Sequence, residues 1–138
     1  MAEKMKLEIV TPQSRVVDTY VDEVTASGAM GEFGVLPGHA PFLTSLEIGE
    51  LCYKNDGVES CMALNWGYFE IKDDRIIVLV ETAERSEDID VERAITARDN
   101  AEATLKKLDP EDKKFREMEL ALQRALIRVQ VAAKAARK

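Results

Sequence analysis

The sequence predicts an α+β chain: an all-β sandwich over residues 1–84, then an antiparallel two-helix hairpin over residues 85–138. Three observations carry this reading. Short apolar stretches, broken by Gly, Pro and Asp pairs, fill the first part. After Glu84 the apolar residues recur at alternating steps of three and four, the helical period. Charge divides at the same place, with six basic and fifteen acidic residues up to Glu84 and thirteen basic and eleven acidic from Arg85 onward.

Met5, Leu7 and Ile9 alternate with Lys6 and Glu8, the pattern of a half-buried strand. Val16 to Ala26 is β-branched and aromatic but alternates imperfectly, which predicts a bend or bulge. Gly28, Gly31, Gly34, Pro37, Gly38 and Pro41 punctuate the next stretch as turns. Leu46–Lys54 and Val58–Leu64 flank Asp56-Gly57, a strong two-residue hairpin signal. That turn sets Lys54 opposite Glu59, an expected cross-strand ion pair, and Cys52 opposite Cys61. Facing cysteines can oxidise, but a reducing compartment favours two thiols acting as small packing residues. Tyr68–Lys72 is a further strand, and Asp73-Asp74 turns it into Arg75–Val80. The unbroken apolar run from Ile76 to Val80 predicts a strand covered on both faces.

The first helix is expected to begin at Asp90, with Ala94, Ala97, Ala101, Thr104 and Leu108 along its seam. Phe115, Met118, Leu122, Ala125, Val129, Ala132 and Ala136 form the facing stripe. Between them, Asp109-Pro110-Glu111-Asp112 reads as a helix start, with Asp109 as cap and Pro at the first helical position. The short connection makes the helices antiparallel neighbours. Most seam contacts are alanine methyls, each contributing about 0.8 kcal/mol when buried. Such a hairpin is either a fixed appendage or an arm held lightly enough to release, and the pattern leaves both open.

The net charge of −7 and the acidic body argue against nucleic-acid binding, which needs a basic footprint. Lys113, Lys114, Arg116, Arg124, Arg128, Lys134, Arg137 and Lys138 make the tail basic. On charge alone this is more simply a solvated helix face than a surface for an acidic partner. No apolar run approaches the roughly 20 residues that span a bilayer. The start at Met1 runs directly into Leu7 and Ile9, so a cytosolic or peripherally bound protein is expected. No catalytic constellation is visible: the one histidine, His39, has no nucleophile at a recognisable spacing. No metal-ligand cluster, GxGxxG or GxxxxGK[ST] is present.

Gly31-Glu-Phe-Gly-Val-Leu-Pro-Gly-His-Ala-Pro-Phe-Leu-Thr44 resembles the signature loop and strand of the epsilon subunit of rotary F-type ATP synthases, bacterial and chloroplast-type. Leu7–Val10, Asn65-Trp-Gly-Tyr-Phe-Glu-Ile71 and Ile89-Asp-Val-Glu-Arg-Ala94 extend the similarity over essentially the whole chain. The resemblance implies a sandwich of about ten short strands plus two helices. It implies a non-catalytic central-stalk subunit that couples rotation of a proton-translocating c-ring to ATP synthesis. It also implies restraint of ATP hydrolysis through the C-terminal helices, with the gamma subunit, the c-ring and the beta and alpha subunits as partners. The location implied is the cytoplasmic face of the inner membrane, reached only through the complex.

Glu32 and His39 match family positions facing the ring and the neighbouring stalk; taken alone they are a turn acid and a turn residue satisfied by backbone. No cofactor is required, but a regulatory ATP is implied by Ile89, Asp90, Arg93 and Ala94, which match the family's [I/L]DxxRA motif. Glu84, Arg124 and Arg128 match further contacts. Arginines four apart project from one helix face, and their forks suit phosphate oxygens. The plainer alternative is that Asp90 is a helix cap and the arginines are solvated or paired with Glu117 and Glu119. The family usually carries Gly-Gly where this chain has Trp66-Gly67, so a different local backbone is expected there. The rival reading is a free-standing β-sandwich ligand sensor with a helical effector arm.

Overall fold

The computed structural model describes residues 3–135. It forms two compact units, one ending at Arg85 and one beginning at Ser86. Ala136, Arg137 and Lys138 of the expected second helix lie outside the described residues.

The first unit is one seven-stranded sheet in the order β2-β1-β7-β6-β5-β3-β4. Its strands are β1 (Met5–Val10), β2 (Arg15–Val21), β3 (Glu23–Gly28), β4 (Gly31–Val35), β5 (Phe42–Asn55), β6 (Val58–Lys72) and β7 (Arg75–Arg85). The break expected within Val16–Ala26 falls at Asp22, between β2 and β3. β1 lies parallel to β7; the other pairings are antiparallel.

Seven strands, rather than about ten, result because β5, β6 and β7 are long and continuous. Pairing lapses in the middle of each. Phe42–Leu46 pairs with Gly67–Ile71, and Gly49–Asn55 pairs with Val58–Leu64. Likewise β7 pairs with β6 on both sides of Trp66. Counted arm by arm, these three strands give six segments and the whole sheet ten, so Val58–Leu64 and Tyr68–Lys72 are two arms of one strand.

Arg85 shows that the sheet folds over itself. Its guanidinium donates to the Val16 carbonyl on β2 at 2.8 Å and to the Tyr53 hydroxyl on β5 at 3.3 Å. Those strands are separated in the sheet by β1, β7 and β6. Between the layers lies a core of Met5, Leu7, Ile9, Leu51, Met62, Phe69, Ile71, Ile76, Val78 and their neighbours.

Lys4 fastens β1 to the turns beside it. Its ammonium lies 3.0 Å from the Asp22 carboxylate and 3.0 Å from that of Asp56, and it also donates to Asn55. Asp22 accepts the Asp56 backbone N–H at 2.7 Å. That N–H, and then Lys4, hold the Asp22 carboxyl below its usual 3.8. Asp22 and Asp56 in turn raise the Lys4 ammonium above 10.5. A second pair, Lys6–Asp18 at 2.8 Å across β1 and β2, lowers Asp18 and raises Lys6.

Both predicted turns form with left-handed backbone, Asp56 and Gly57 at φ 52° and 81° and Asp73 and Asp74 at 51° and 58°. This twist matches that of the flanking strands. Lys54 does face Glu59 and Cys52 faces Cys61. The Lys54 ammonium, however, approaches Glu23 at 3.8 Å. Cys52 and Cys61 are joined as a disulfide, correcting the expected thiols; their Cα atoms are 4.1 Å apart, close enough for bonding.

The run Ile76–Val80 is not covered on both faces. Ile76, Val78 and Val80 enter the core, whereas Ile77 is 40% and Leu79 50% exposed. Ordinary strand alternation prevails, and the outward residues happen to be apolar as well.

The second unit holds a 3-10 turn (Ser86–Asp88), α1 (Val91–Lys107) and α2 (Lys113–Ala135). α2 starts three residues later than Pro110 suggests. The Asp109 carboxylate accepts the Glu111 N–H, the Asp109 carbonyl accepts the Asp112 N–H, and the Asp112 carboxylate accepts the Lys114 N–H, each at 2.9 Å. These side-chain bonds hold Asp109–Asp112 in a turn instead of a first helical turn. The seam on α1 is Ala94 and Ala101, flanked by half-buried Ile95, Arg98, Leu105 and Leu108; Ala97 and Thr104 are exposed. Ala125, Val131 and Ala132 are the buried residues of α2.

Candidate functional site

Four residues of the expected nucleotide site lie at the start of α1. Ile89 is 7% exposed and precedes Asp90, the N-cap. The Asp90 carboxylate accepts the Arg93 N–H at 3.1 Å, and the Asp90 carbonyl accepts the Ala94 N–H at 3.0 Å. Asp90 therefore does what its chemistry predicts, satisfying N–H groups that a helix start leaves without partners. Ala94 is fully buried in the seam. Its methyl leaves room for close helix approach, and the Arg93 side chain beside it is exposed.

Arg124 and Arg128 are half-buried and one turn apart on α2. With the connection centred near Pro110, Arg93 lies about seventeen residues before it and Ile127 about seventeen after. At equal rise, an antiparallel hairpin places Arg93 at the level between the two arginines. Three guanidinium-bearing positions thus share one level of the hairpin. Of the acids considered as partners, Glu119 lies 3.8 Å from Arg116. Glu84 belongs to the other unit, on β7 opposite Ala63.

Glu32 is exposed on β4, opposite Ser27. His39 sits in the loop that follows, with its N–H donating to the Leu36 carbonyl at 3.1 Å. Its Nδ1 lies 2.7 Å from the Ala40 carbonyl, which places the ring proton on Nδ1. The loop is anchored where the Gly38 N–H donates to Asp74 at 2.7 Å. The His39 ring stands 5.9 Å from Phe42, Phe42 stands 5.4 Å from Phe33, and Phe33 stands 4.9 Å from the core ring Phe69. A chain of edge-to-face rings thus runs from the core to the loop.

Sequence reasoning missed the apolar side chains around these residues. Met30 is 97% exposed, with Leu36 and Leu43 above half. Leu36, Phe42 and Leu43 stand inside the segment Gly31–Thr44, so the signal was present there. A second apolar surface is a groove of about 650 Å³ lined by Val10, Pro12, Leu46, Trp66, Tyr68 and Leu79, among others.

Trp66 owes its place in that groove to an unusual backbone, with φ at 30° where glycine is favoured. Its neighbour Gly67 admits no Cβ, which would collide with the Leu79 carbonyl. The expected departure at Trp66-Gly67 is therefore in the side chain, while the backbone keeps a glycine-like conformation.

Among the described residues, no helix is long and apolar enough to cross a membrane.

Residues 4–86 match the family model for the ATP synthase delta/epsilon chain beta-sandwich domain, and residues 87–133 match that for its long alpha-helix domain. The chain is 75% identical over 138 residues to the ATP synthase epsilon chain of Trichlorobacter lovleyi, covering all of both chains. It is 69% identical to that of Geotalea uraniireducens over the same full span. In fold it is similar to a chain of the Euglena gracilis mitochondrial ATP synthase, with a TM-score of 0.81 and 22% identity, covering 98% of this chain and 82% of that one. A chain in the central stalk and c-ring of the Tetrahymena thermophila enzyme gives a TM-score of 0.63 at 14% identity, with 96% of each chain covered.

Proposed function

The chain belongs to the ATP synthase delta/epsilon family, and from that premise we propose how its surfaces divide the work of such a subunit. It is the epsilon subunit of an F-type ATP synthase, a non-catalytic component of the central stalk. The observation that carries the reading is the full-length match across both units, sandwich and helices together.

Glu32 on β4 and the following loop with His39, with exposed Met30, Leu36 and Leu43 around them, meet the c-ring. Partly buried rings hold this loop in shape, so little entropy is lost when it docks. The groove at Trp66, continuous with outward Ile77 and Leu79, receives the gamma subunit. Exposed contiguous apolar surface of this kind marks an interface. The subunit lies at the cytoplasmic face of the membrane, held there through the complex.

The helical unit regulates. Arg93, Arg124 and Arg128 offer phosphate-matching forks at one level of the hairpin, and Asp90 sets the helix start that presents Arg93. ATP held across both helices favours the closed hairpin by its differential affinity for that state. With the hairpin open, α2 and its basic residues engage the beta and alpha subunits and restrain hydrolysis. Support comes from the motif match and from the small buried seam residues Ala94, Ala101, Ala125 and Ala132.

Calorimetric titration with ATP tests the regulatory reading. Heat of binding is expected from the wild type and its loss from Arg124→Ala and Arg128→Ala. Equal heats from all three overturn the nucleotide site and leave the family assignment standing. For the docking surfaces, Leu79→Asp is expected to abolish co-purification with gamma, and unchanged co-purification refutes that assignment.

A further inference from the structure

Strand register orders the outward face of β2, β1, β7 and β6 into three rows. Val10 stands opposite Leu79 and Leu79 opposite Tyr68, an apolar row that also lines the Trp66 groove. Two residues along each strand, about 6.7 Å away, Asp18, Glu8, Ile77 and Glu70 face one another in turn. Two residues further on, Lys6 stands opposite Arg75, and Arg75 opposite Lys72.

The third row is costly to the free chain. Its three cations sit on neighbouring strands about 4.8 Å apart, and like charges directly opposite one another repel. Lys6 is offset by Asp18 at 2.8 Å, and Arg15 engages Asp18 and Glu8. Among the described residues, Arg75 and Lys72 make no ion pair. Both are exposed, and the Asp74 carboxylate beside them is taken up by the Gly38 N–H. Arg75 is thus repelled from both sides, and the sheet gains nothing from a cation there. Negative charge brought from outside would match the row.

We propose that Arg75, flanked by Lys6 and Lys72, orients the gamma subunit on this face by receiving one of its carboxylates, an assignment that rests on gamma occupying the Trp66 groove. The occupant's chemistry follows from the rows. An apolar ridge seats on Val10, Leu79 and Tyr68, and an acidic group lies about 13 Å to one side, two rows away. The guanidinium fork meets such a carboxylate with two parallel hydrogen bonds. A gamma segment turned end for end carries its acid away from the cations and leaves the row unmatched. Exposed charges at the edge of an interface act chiefly on approach and orientation.

The test follows association of the full-length chain with a core of alpha, beta and gamma subunits stripped of this subunit, over a range of salt. Arg75→Glu is expected to associate about tenfold more slowly than wild type at low salt, with the difference shrinking as salt is raised. Arg75→Gln is expected to fall between the two. Its free chain is expected to withstand urea at least as well as wild type, because repulsion is relieved; a merely structural arginine would lose stability instead. Wild-type rate and salt dependence in Arg75→Glu overturn the orienting role, as does a less stable Arg75→Gln chain. Slower binding of Arg75→Glu to the isolated c-ring, with core association unchanged, gives the row to the ring and overturns it as well. Leu79→Asp tells the two readings apart. If it abolishes binding while Arg75→Glu behaves as wild type, only the carboxylate contact falls; if it binds as wild type, gamma leaves this face and the contact goes with it.

Discussion

Gly67 on β6 runs so close to Leu79 on β7 that no side chain fits between them. The residue before it, Trp66, holds a left-handed backbone that glycine adopts more readily. These two positions form the corner at which β6 passes from one arm to the other.

Gly67→Ala is expected to destabilise the sandwich by more than about 3 kcal/mol, because β7 backbone must move to admit the methyl. Trp66→Gly is expected to be about 1 kcal/mol more stable than Trp66→Ala, since both lose the indole but only alanine retains a Cβ at positive φ. Urea denaturation of the three variants measures both differences. Equal stability of the two Trp66 variants means that the corner carries no backbone strain.

Arg85 joins β2 to β5 through Val16 and Tyr53. Arg85→Met keeps much of the stem and removes both bonds, leaving the Val16 carbonyl short of a donor. A loss of about 2 kcal/mol is expected, within the range for hydrogen bonds to charged groups. A variant as stable as the wild type would show that water replaces the guanidinium without penalty.

Acid should weaken the sandwich through Asp18 and Asp22. Both carboxyls are held below 3.8 in the folded chain, so over that window the unfolded chain binds more protons. Their contribution is full above about pH 4 and is lost as the pH falls through the lowered folded values. Lys4 and Lys6 act at the other extreme. Raised above 10.5, they contribute fully below that value and lose their contribution as the pH rises through the folded ones. Denaturation midpoints followed from neutral pH into acid should fall less steeply for Asp22→Asn than for wild type. Parallel curves would exclude Asp22 as a source of the slope.

Asp90→Ala removes the side-chain acceptor for the Arg93 N–H and should cost about 1 kcal/mol. Amide exchange reads it locally: protection is expected to drop in the first turn of α1 and to persist in β6. Unchanged protection at Arg93 would mean that another acceptor replaces the carboxylate.

Where a side chain acts on its own backbone, the sequence was explicit. Asp56-Gly57 and Asp73-Asp74 turn as their residue types require, and Asp90 caps. The cross-strand partners Lys54–Glu59 and Cys52–Cys61 followed from one turn. Other features depend on competition that composition hides. Asp109 and Asp112 each offer a carboxylate to nearby N–H groups, and their combined bonds delay α2. Ala94, Ala97, Ala101 and Ala103 all suit a seam, so alanine content alone does not choose its line. Ile77 and Leu79 look like core in a linear reading because they are apolar like their buried neighbours, although strand alternation turns them outward. The common level of Arg93, Arg124 and Arg128 follows from the turn at Asp109–Asp112, a position that the sequence already marks.

Because three strands pass unbroken through both layers, neither layer has a seam along which it can peel away. Melting one arm of β6 strips partners from the other, so amides on both sides of Trp66 should exchange in a single global event. A body of that kind carries a turning load without creeping: it holds whole or fails whole.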